Sequence, residues 1–298
     1  MNANYITPSV TIFSDDMSLD LESQGRLFDH LISGGVDGIL VNGSIGEFFA
    51  MPLEQRKQLA DFAIKKVDHR VRLFVGTMDM VYDNIVPFSN EVLAAGADAV
   101  MIISPYYFWF KDDQLFDYYD GLIGKINGPV YLYNFPDRTG YSLSPALVRR
   151  LADKYPNLRG IKDTISGVDH TRDLVKTVKS AHPYFEVYSG FDDNAAHNVL
   201  NGGDGIIGGL SNIIPELCSK WIAAMRADDA KGIADGQRMI NRMFDIYSVA
   251  PVFIPTIKEA VRLRGVVSSS ICTKPMPVIS QQQDEQIRTI LRREGIDV

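Results

Sequence analysis

Cysteine is scarce. The 298 residues include two, Cys218 and Cys272, and neither has another Cys or a His at close spacing. That excludes a zinc site of the finger or ribbon kind, and two thiols cannot build a disulfide framework, so a reducing cytoplasm is the expected compartment. Long apolar runs are missing too: no stretch approaches the ~18 uncharged residues that would span a bilayer. Met1–Val10 has neither a basic n-region nor a long apolar h-region, so no membrane partner is expected and the protein should stay where it is made. There is no basic excess, because 30 Lys and Arg stand against 37 Asp and Glu, and no run of like charge could serve as a nucleic-acid arm. Nucleic acid is therefore not an expected partner. No apolar run is followed by a Gly-x-Gly-x-x-Gly loop, which counts against a dinucleotide fold.

The hydrophobic content of 46% against 22% charged residues is that of a chain able to bury a sizeable core. Short runs rich in branched residues alternate with amphipathic stretches, which reads as strand-then-helix units. The runs are Tyr5–Ile12, Gly38–Val41, Val71–Val75, Ala99–Ile103, Val130–Tyr133, Leu158–Ile161, Glu186–Tyr188 and Gly205–Ile207. Helical patterns lie between them, such as Pro52–Val67, with a proline in its first turn, and Pro145–Lys154, with Ser144 as its cap. Strands that are almost wholly apolar are buried on both faces, as parallel strands under crossover helices must be. Eight such units predict an α/β protein, a (β/α)8 barrel with a C-terminal helical appendage. The expected division is a catalytic barrel over residues 1–225 and C-terminal helices over 226–298, packed as one structural unit.

In such a barrel the chemistry sits where the strands end. The second run ends in Asn42-Gly43-Ser44-Ile45-Gly46-Glu47, the fourth in Ser104-Pro105-Tyr106-Tyr107, the fifth in Tyr133-Asn134-Phe135-Pro136 and the sixth in Gly160-Ile161-Lys162-Asp163. An amine in an apolar barrel mouth is costly to keep charged, and its neutral form can attack a carbonyl to give an imine, with no metal and no separate cofactor. Taken alone, Lys162 reads equally as the ion-pair partner of Asp163. The glycines around Ser44 present backbone N–H groups suited to a carboxylate, with the Ser44 hydroxyl as a further donor, though tight turns need glycine for geometry as well. Tyr133 is either a core tyrosine or a general acid–base.

Together these segments resemble the dihydrodipicolinate synthase and N-acetylneuraminate lyase family of class I aldolase-like barrels, along nearly the whole chain. The resemblance implies Lys162 as the imine-forming residue, Tyr133 as the proton shuttle, and Ser44 with the N–H groups of Ser44 and Ile45 as the anchor for the carboxylate of pyruvate. Glu47 falls in the same substrate-binding turn, Gly190 and Ile207 match positions lining the imine pocket, and Tyr107 matches a tyrosine inserted into a neighbouring subunit's site. A homotetramer is implied.

Within the family the features divide. Synthases carry two hydroxyl residues where this chain has Ser44-Ile45, while Arg138 matches the synthase arginine for a second carboxylate. Ser189-Gly190-Phe191-Asp192-Asp193 is similar to the stretch with which sugar-acid lyases hold hydroxyls, and Asp193 could instead cap the next helix. Phe48, Asp163-Thr164 and the segment Phe253–Glu259 look like the 2-keto-3-deoxy sugar-acid aldolase branch. The expected activity is therefore cleavage of a gluconate-like 2-keto-3-deoxy sugar acid to pyruvate and an aldehyde. The alternatives are condensation of pyruvate with aspartate semialdehyde, dehydration of a keto-deoxy sugar acid, or non-catalytic keto-acid binding.

Overall fold

In the computed structural model, which describes residues Met1–Val298, all eight runs are strands: β1 (Asn4–Pro8), β2 (Gly38–Val41), β3 (Arg72–Gly76), β4 (Ala99–Ile103), β5 (Val130–Asn134), β6 (Leu158–Asp163), β7 (Glu186–Ser189) and β8 (Gly205–Ile207). They form a closed barrel in sequence order. β1 pairs with β2 in parallel, as do the successive neighbours from β3 with β4 to β7 with β8. Buried side chains on both faces of β2, β4, β5 and β8 explain why these segments read as uninterrupted apolar runs.

The helices between them are α1 (Leu21–Ser33), α2 (Leu53–Val67), α3 (Tyr82–Ala95), α4 (Asp112–Ile123), the single turn α5 (Pro136–Thr139), α6 (Pro145–Lys154), α7 (Asp169–Leu174) and α8 (Ala195–Leu200). After β8 come α9 (Pro215–Arg226), α10 (Ala230–Met243), α11 (Phe253–Leu263) and α12 (Gln281–Arg293). No helix is long and apolar enough to cross a membrane.

Three local expectations are resolved. Ser144 caps α6, its side chain accepting from the Leu147 N–H. Pro52 occupies the cap position of α2, one residue before the helix begins. The first strand stops at Pro8 rather than Ile12: Ser9 N–H still donates to the Leu40 carbonyl at 2.9 Å, but beyond it Val10 N–H donates to Asn212 Oδ1 at 3.1 Å and Ile12 N–H to Gln24 Oε1 at 2.9 Å instead of a ladder.

The chain divides into two compact units, Met1–Asn4 with Phe74–Ile207, and Tyr5–Leu73 with Gly208–Val298. In the first, an aromatic and acidic cluster fills the strand interior: Phe74 meets Tyr131 edge-on at 5.0 Å, and the Tyr131 and Tyr188 hydroxyls both donate to Glu186, at 2.5 and 3.0 Å. The N-terminal residues are tied to β8 by Asn4 N–H donating to the Asp204 carbonyl at 2.9 Å. In the second, Trp221 on α9 donates to the Ile233 carbonyl on α10 at 3.0 Å, and Arg242 on α10 makes a two-pronged pair with Glu294, both bonds 2.7 Å.

Gly205 is required where β8 meets the N-terminal segment: its φ is +123°, and a Cβ there would lie 2.0 Å from the Asn4 carbonyl oxygen. Backbone strain and a backbone clash combine, so Gly205→Ala is expected to cost at least about 2 kcal/mol. Urea denaturation checks this, and a midpoint equal to that of the unchanged protein would contradict it.

Candidate active site

Strand alternation sorts the residues of β5 and β6. Tyr133 is the register partner of Lys162, and Asn134 of Asp163. Tyr133 and Lys162 fall on one face, 1% and 4% exposed, with Lys162 Nζ 4.4 Å from the centre of the Tyr133 ring. Asn134 and Asp163 fall on the other. The ion pair that Lys162 and Asp163 might have formed is absent for this reason. The Asp163 carboxylate accepts instead from Asn134 Nδ2 at 2.7 Å, Thr171 Oγ1 at 2.7 Å and the His170 ring at 3.0 Å. What is left is a buried amine over an aromatic face, with no carboxylate paired to it.

Around that pair, Gly190 follows β7 and donates its N–H to the Asp163 carbonyl at 2.8 Å. A Cβ at Gly190 would lie 1.9 Å from Thr164 Oγ1, so the glycine makes room for that hydroxyl. Thr164 is 4% exposed and its hydroxyl has no partner within the protein. Ile207 is fully buried at the end of β8. Asp192 and Asp193 lie in a single 3-10 turn, and the cap position of α8 belongs to Asn194, so Asp193 is not that helix's cap. Burial, then the neighbouring Asp192 charge, hold the Asp193 carboxyl above the usual range.

Two of the expected site residues are exposed. Arg138, on α5, is exposed, with its guanidinium 5.2 Å from the Phe135 ring centre and a bond to the Asp137 carbonyl. Tyr107 is 89% exposed at a φ of +94°, edge-on to Phe108, and Phe108 and Trp109 are also largely exposed.

In the second unit, the turn after β2 is wound tightly: Glu47 N–H donates to the Ser44 carbonyl at 3.1 Å and Phe48 N–H to the Gly43 carbonyl at 3.4 Å. Asn42 and Glu47 have left-handed φ of 56° and 60°. Such a non-glycine backbone needs outside support. Thr11 Oγ1 donates to the Gly46 carbonyl at 2.7 Å, and Asn42 Nδ2 to the Arg56 carbonyl at 3.0 Å. Glu47, fully buried, accepts from Lys258 Nζ on α11 at 2.8 Å and from both the N–H and hydroxyl of Thr273 at 2.7 Å. Both its oxygens are taken within the protein, so Glu47 holds the turn. Lys258 also donates to the Ile271 carbonyl and sits 4.6 Å from the Phe13 ring centre. Burial pushes the nearby Cys272 thiol up to about 12, which keeps it protonated.

Sequence reading named Thr164 and Lys258 only within segments that carry the resemblance, gave neither a role, and did not name His170. A lysine in the apolar stretch Phe253–Leu263 was the one available signal for Lys258.

The geometry defines a parallel barrel with a buried lysine near the end of a strand, where barrel enzymes place their chemistry. The chain belongs to the dihydrodipicolinate synthetase family, whose sequence model matches residues 1–294. It is 38% identical over 288 residues to a protein of Escherichia coli K12 provisionally named 2-dehydro-3-deoxy-D-gluconate aldolase YagE, covering 97% of this chain and 95% of the relative. It is 36% identical over 291 residues, 98% of this chain and 97% of the relative, to the likewise provisionally named 2-dehydro-3-deoxy-D-pentonate aldolase YjhH of the same strain. A crystal structure of YagE in complex with pyruvate superposes with a TM-score of 0.96 at 37% identity over 99% of each chain. The dihydrodipicolinate synthase of Thermotoga maritima gives 0.93 at 26% identity over 99% of each chain. The chain is thus a lyase of this family.

Two outcomes are expected. Lys258→Met strands a buried carboxylate and should cost about 3–5 kcal/mol, with Glu47→Gln added to it recovering part of the loss. A double variant no more stable than Lys258→Met in urea denaturation would contradict the pairing. At His170, burial lowers the pKa, but the hydrogen bond and charge of Asp163, the Leu143 carbonyl and Asp169 outweigh it and leave the value raised. A raised folded-state value stabilises fully below the unfolded value of about 6.5 and is lost as pH rises through the folded one. The stability advantage over His170→Asn should therefore be full well below about pH 6.5 and shrink as pH rises above it, and an advantage that does not change with pH would contradict the assignment.

Proposed function

We propose that this protein cleaves a 2-keto-3-deoxy sugar acid, gluconate-like in chain length, to pyruvate and an aldehyde through an imine on Lys162. The observation that carries this is the buried Lys162 amine over Tyr133 with no carboxylate paired to it. The amine adds to the keto carbon and water leaves. The iminium then takes up the electron pair of the bond to the hydroxyl-bearing carbon, which departs as the aldehyde once its hydroxyl proton passes to Tyr133. Protonation of the enamine and hydrolysis release pyruvate and the free lysine. Gly190 and Ile207 line the imine pocket, and the Thr164 hydroxyl and the carboxylates of Asp192 and Asp193 take the distal hydroxyls.

The names carried by YagE and YjhH support a sugar-acid substrate, and the pyruvate bound to YagE supports the keto-acid half. The ligands are then small molecules, with no metal and no cofactor beyond the covalent imine. The exposed Tyr107, Phe108 and Trp109 support a homotetramer in which Tyr107 reaches a neighbouring subunit. The two-cysteine composition favours a cytoplasmic setting.

Arg138 favours a second reading, condensation of pyruvate with aspartate semialdehyde, since its exposed guanidinium could meet a second carboxylate. The aldehyde decides between them. Condensation of pyruvate with glyceraldehyde, and none with aspartate semialdehyde, is expected, and the reverse pattern would overturn the sugar-acid reading. Tyr133→Phe should lower turnover by about 10²–10⁴. Unchanged turnover would remove Tyr133 as proton shuttle.

A further inference from the structure

Behind the face that carries Lys162 and Tyr133, the side chains of the neighbouring residues close a ring of hydrogen bonds. Asp163 accepts from Asn134 Nδ2 at 2.7 Å. Asn134 Oδ1 accepts from Leu143 N–H at 2.9 Å. The Leu143 carbonyl lies 3.0 Å from His170 Nε2, and His170 Nδ1 lies 3.0 and 3.1 Å from the two Asp163 oxygens. The ring thus runs from the end of β5, through the segment before α6, to α7 and back to the end of β6.

His170 Nδ1 faces the Asp163 carboxylate and Nε2 faces the Leu143 carbonyl at 3.0 Å, both acceptors only, while the Ser142 hydroxyl lies farther from Nε2 at 3.3 Å. A neutral imidazole has one N–H and would leave one of these contacts without a proton. The other charged group close to His170 is Asp169, on the same helix, and Thr171 and Ser142 supply only hydroxyls.

We propose that His170 is a positioning residue: as an imidazolium it locks Asp163 and Asn134 together, and so fixes the register that sets the Lys162 amine over Tyr133. The inference rests on the imine reading above. Its physical content is that Tyr133 and Asn134, and Lys162 and Asp163, are adjacent residues of strands paired as Tyr133 to Lys162 and Asn134 to Asp163. A strand end free to shift on the outer side shifts the reacting pair on the inner one. Asp163 holds more than this ring, because its carbonyl also accepts from Gly190 N–H at 2.8 Å while the Asn134 carbonyl accepts from Thr164 N–H at 2.8 Å. Loosening His170 would be felt across the whole imine pocket of this unit.

The test follows imine formation with pyruvate by borohydride quenching at timed intervals in the unchanged protein, His170→Leu and His170→Asn. The maximal trapping rate should fall about tenfold or more in His170→Leu, with half-saturating pyruvate within about twofold of its original value, since small misplacements of reacting groups act on rate. His170→Asn, with one amide donor for Asp163, should recover part of the rate. A folded His170→Leu that traps at the original rate overturns the inference and leaves the imine reading standing. An unchanged protein that traps no pyruvate overturns the imine reading and takes this inference with it. If neither variant folds, nitrogen NMR of the unchanged protein decides: two protonated ring nitrogens at about pH 7 support the lock, and a neutral ring overturns it.

Discussion

The arrangement rests on one constraint, the burial of an amine without a carboxylate to pair with it. Lys162 is 4% exposed, and its nearest described partner is the face of the Tyr133 ring. Moving an ammonium into such surroundings is expensive, and an ion pair is the usual remedy. The adjacent Asp163 cannot supply it, since strand alternation sends its carboxylate to the opposite face, where three other donors occupy it. The protein thus spends its local acid on holding β5 and β6 in register and leaves the amine to chemistry.

The other unit solves a related problem in the opposite way. The left-handed backbone at Glu47 is held by a fully buried ion pair to Lys258 and by two bonds from Thr273. Charge is buried there in a matched pair, a costly arrangement that fixes geometry more than it adds stability. The C-terminal helices therefore have a part in shaping the turn after β2, through α11 and the segment beyond it.

The strand pattern was plain in the sequence because strands buried on both faces must be apolar throughout, and Gly38–Val41, Ala99–Ile103 and Gly205–Ile207 are bounded as read. Tyr5–Ile12 overran because Ser9 to Ile12 are as buried as a strand, yet Val10 and Ile12 satisfy their N–H groups through the side chains of Asn212 and Gln24. Lys162, Tyr133 and the Ser44 turn were legible as polar residues closing apolar runs. The roles of His170, Thr164 and Lys258 were not, since each depends on how the chain folds back: Lys258 and Glu47 are 211 positions apart, His170 reaches the Leu143 carbonyl 27 positions away, and Thr164 sits against Gly190. Glu47 shows the limit of motif reading, because its place in a binding turn says nothing of where its carboxylate points.

The central claim is that Lys162 forms an imine with pyruvate. It is tested most directly by incubating the protein with pyruvate, reducing with borohydride and locating the added mass by peptide mass spectrometry. The account predicts a pyruvate-derived adduct on the peptide that contains Lys162. A folded protein that gains no adduct, or gains it on a different lysine, would contradict it.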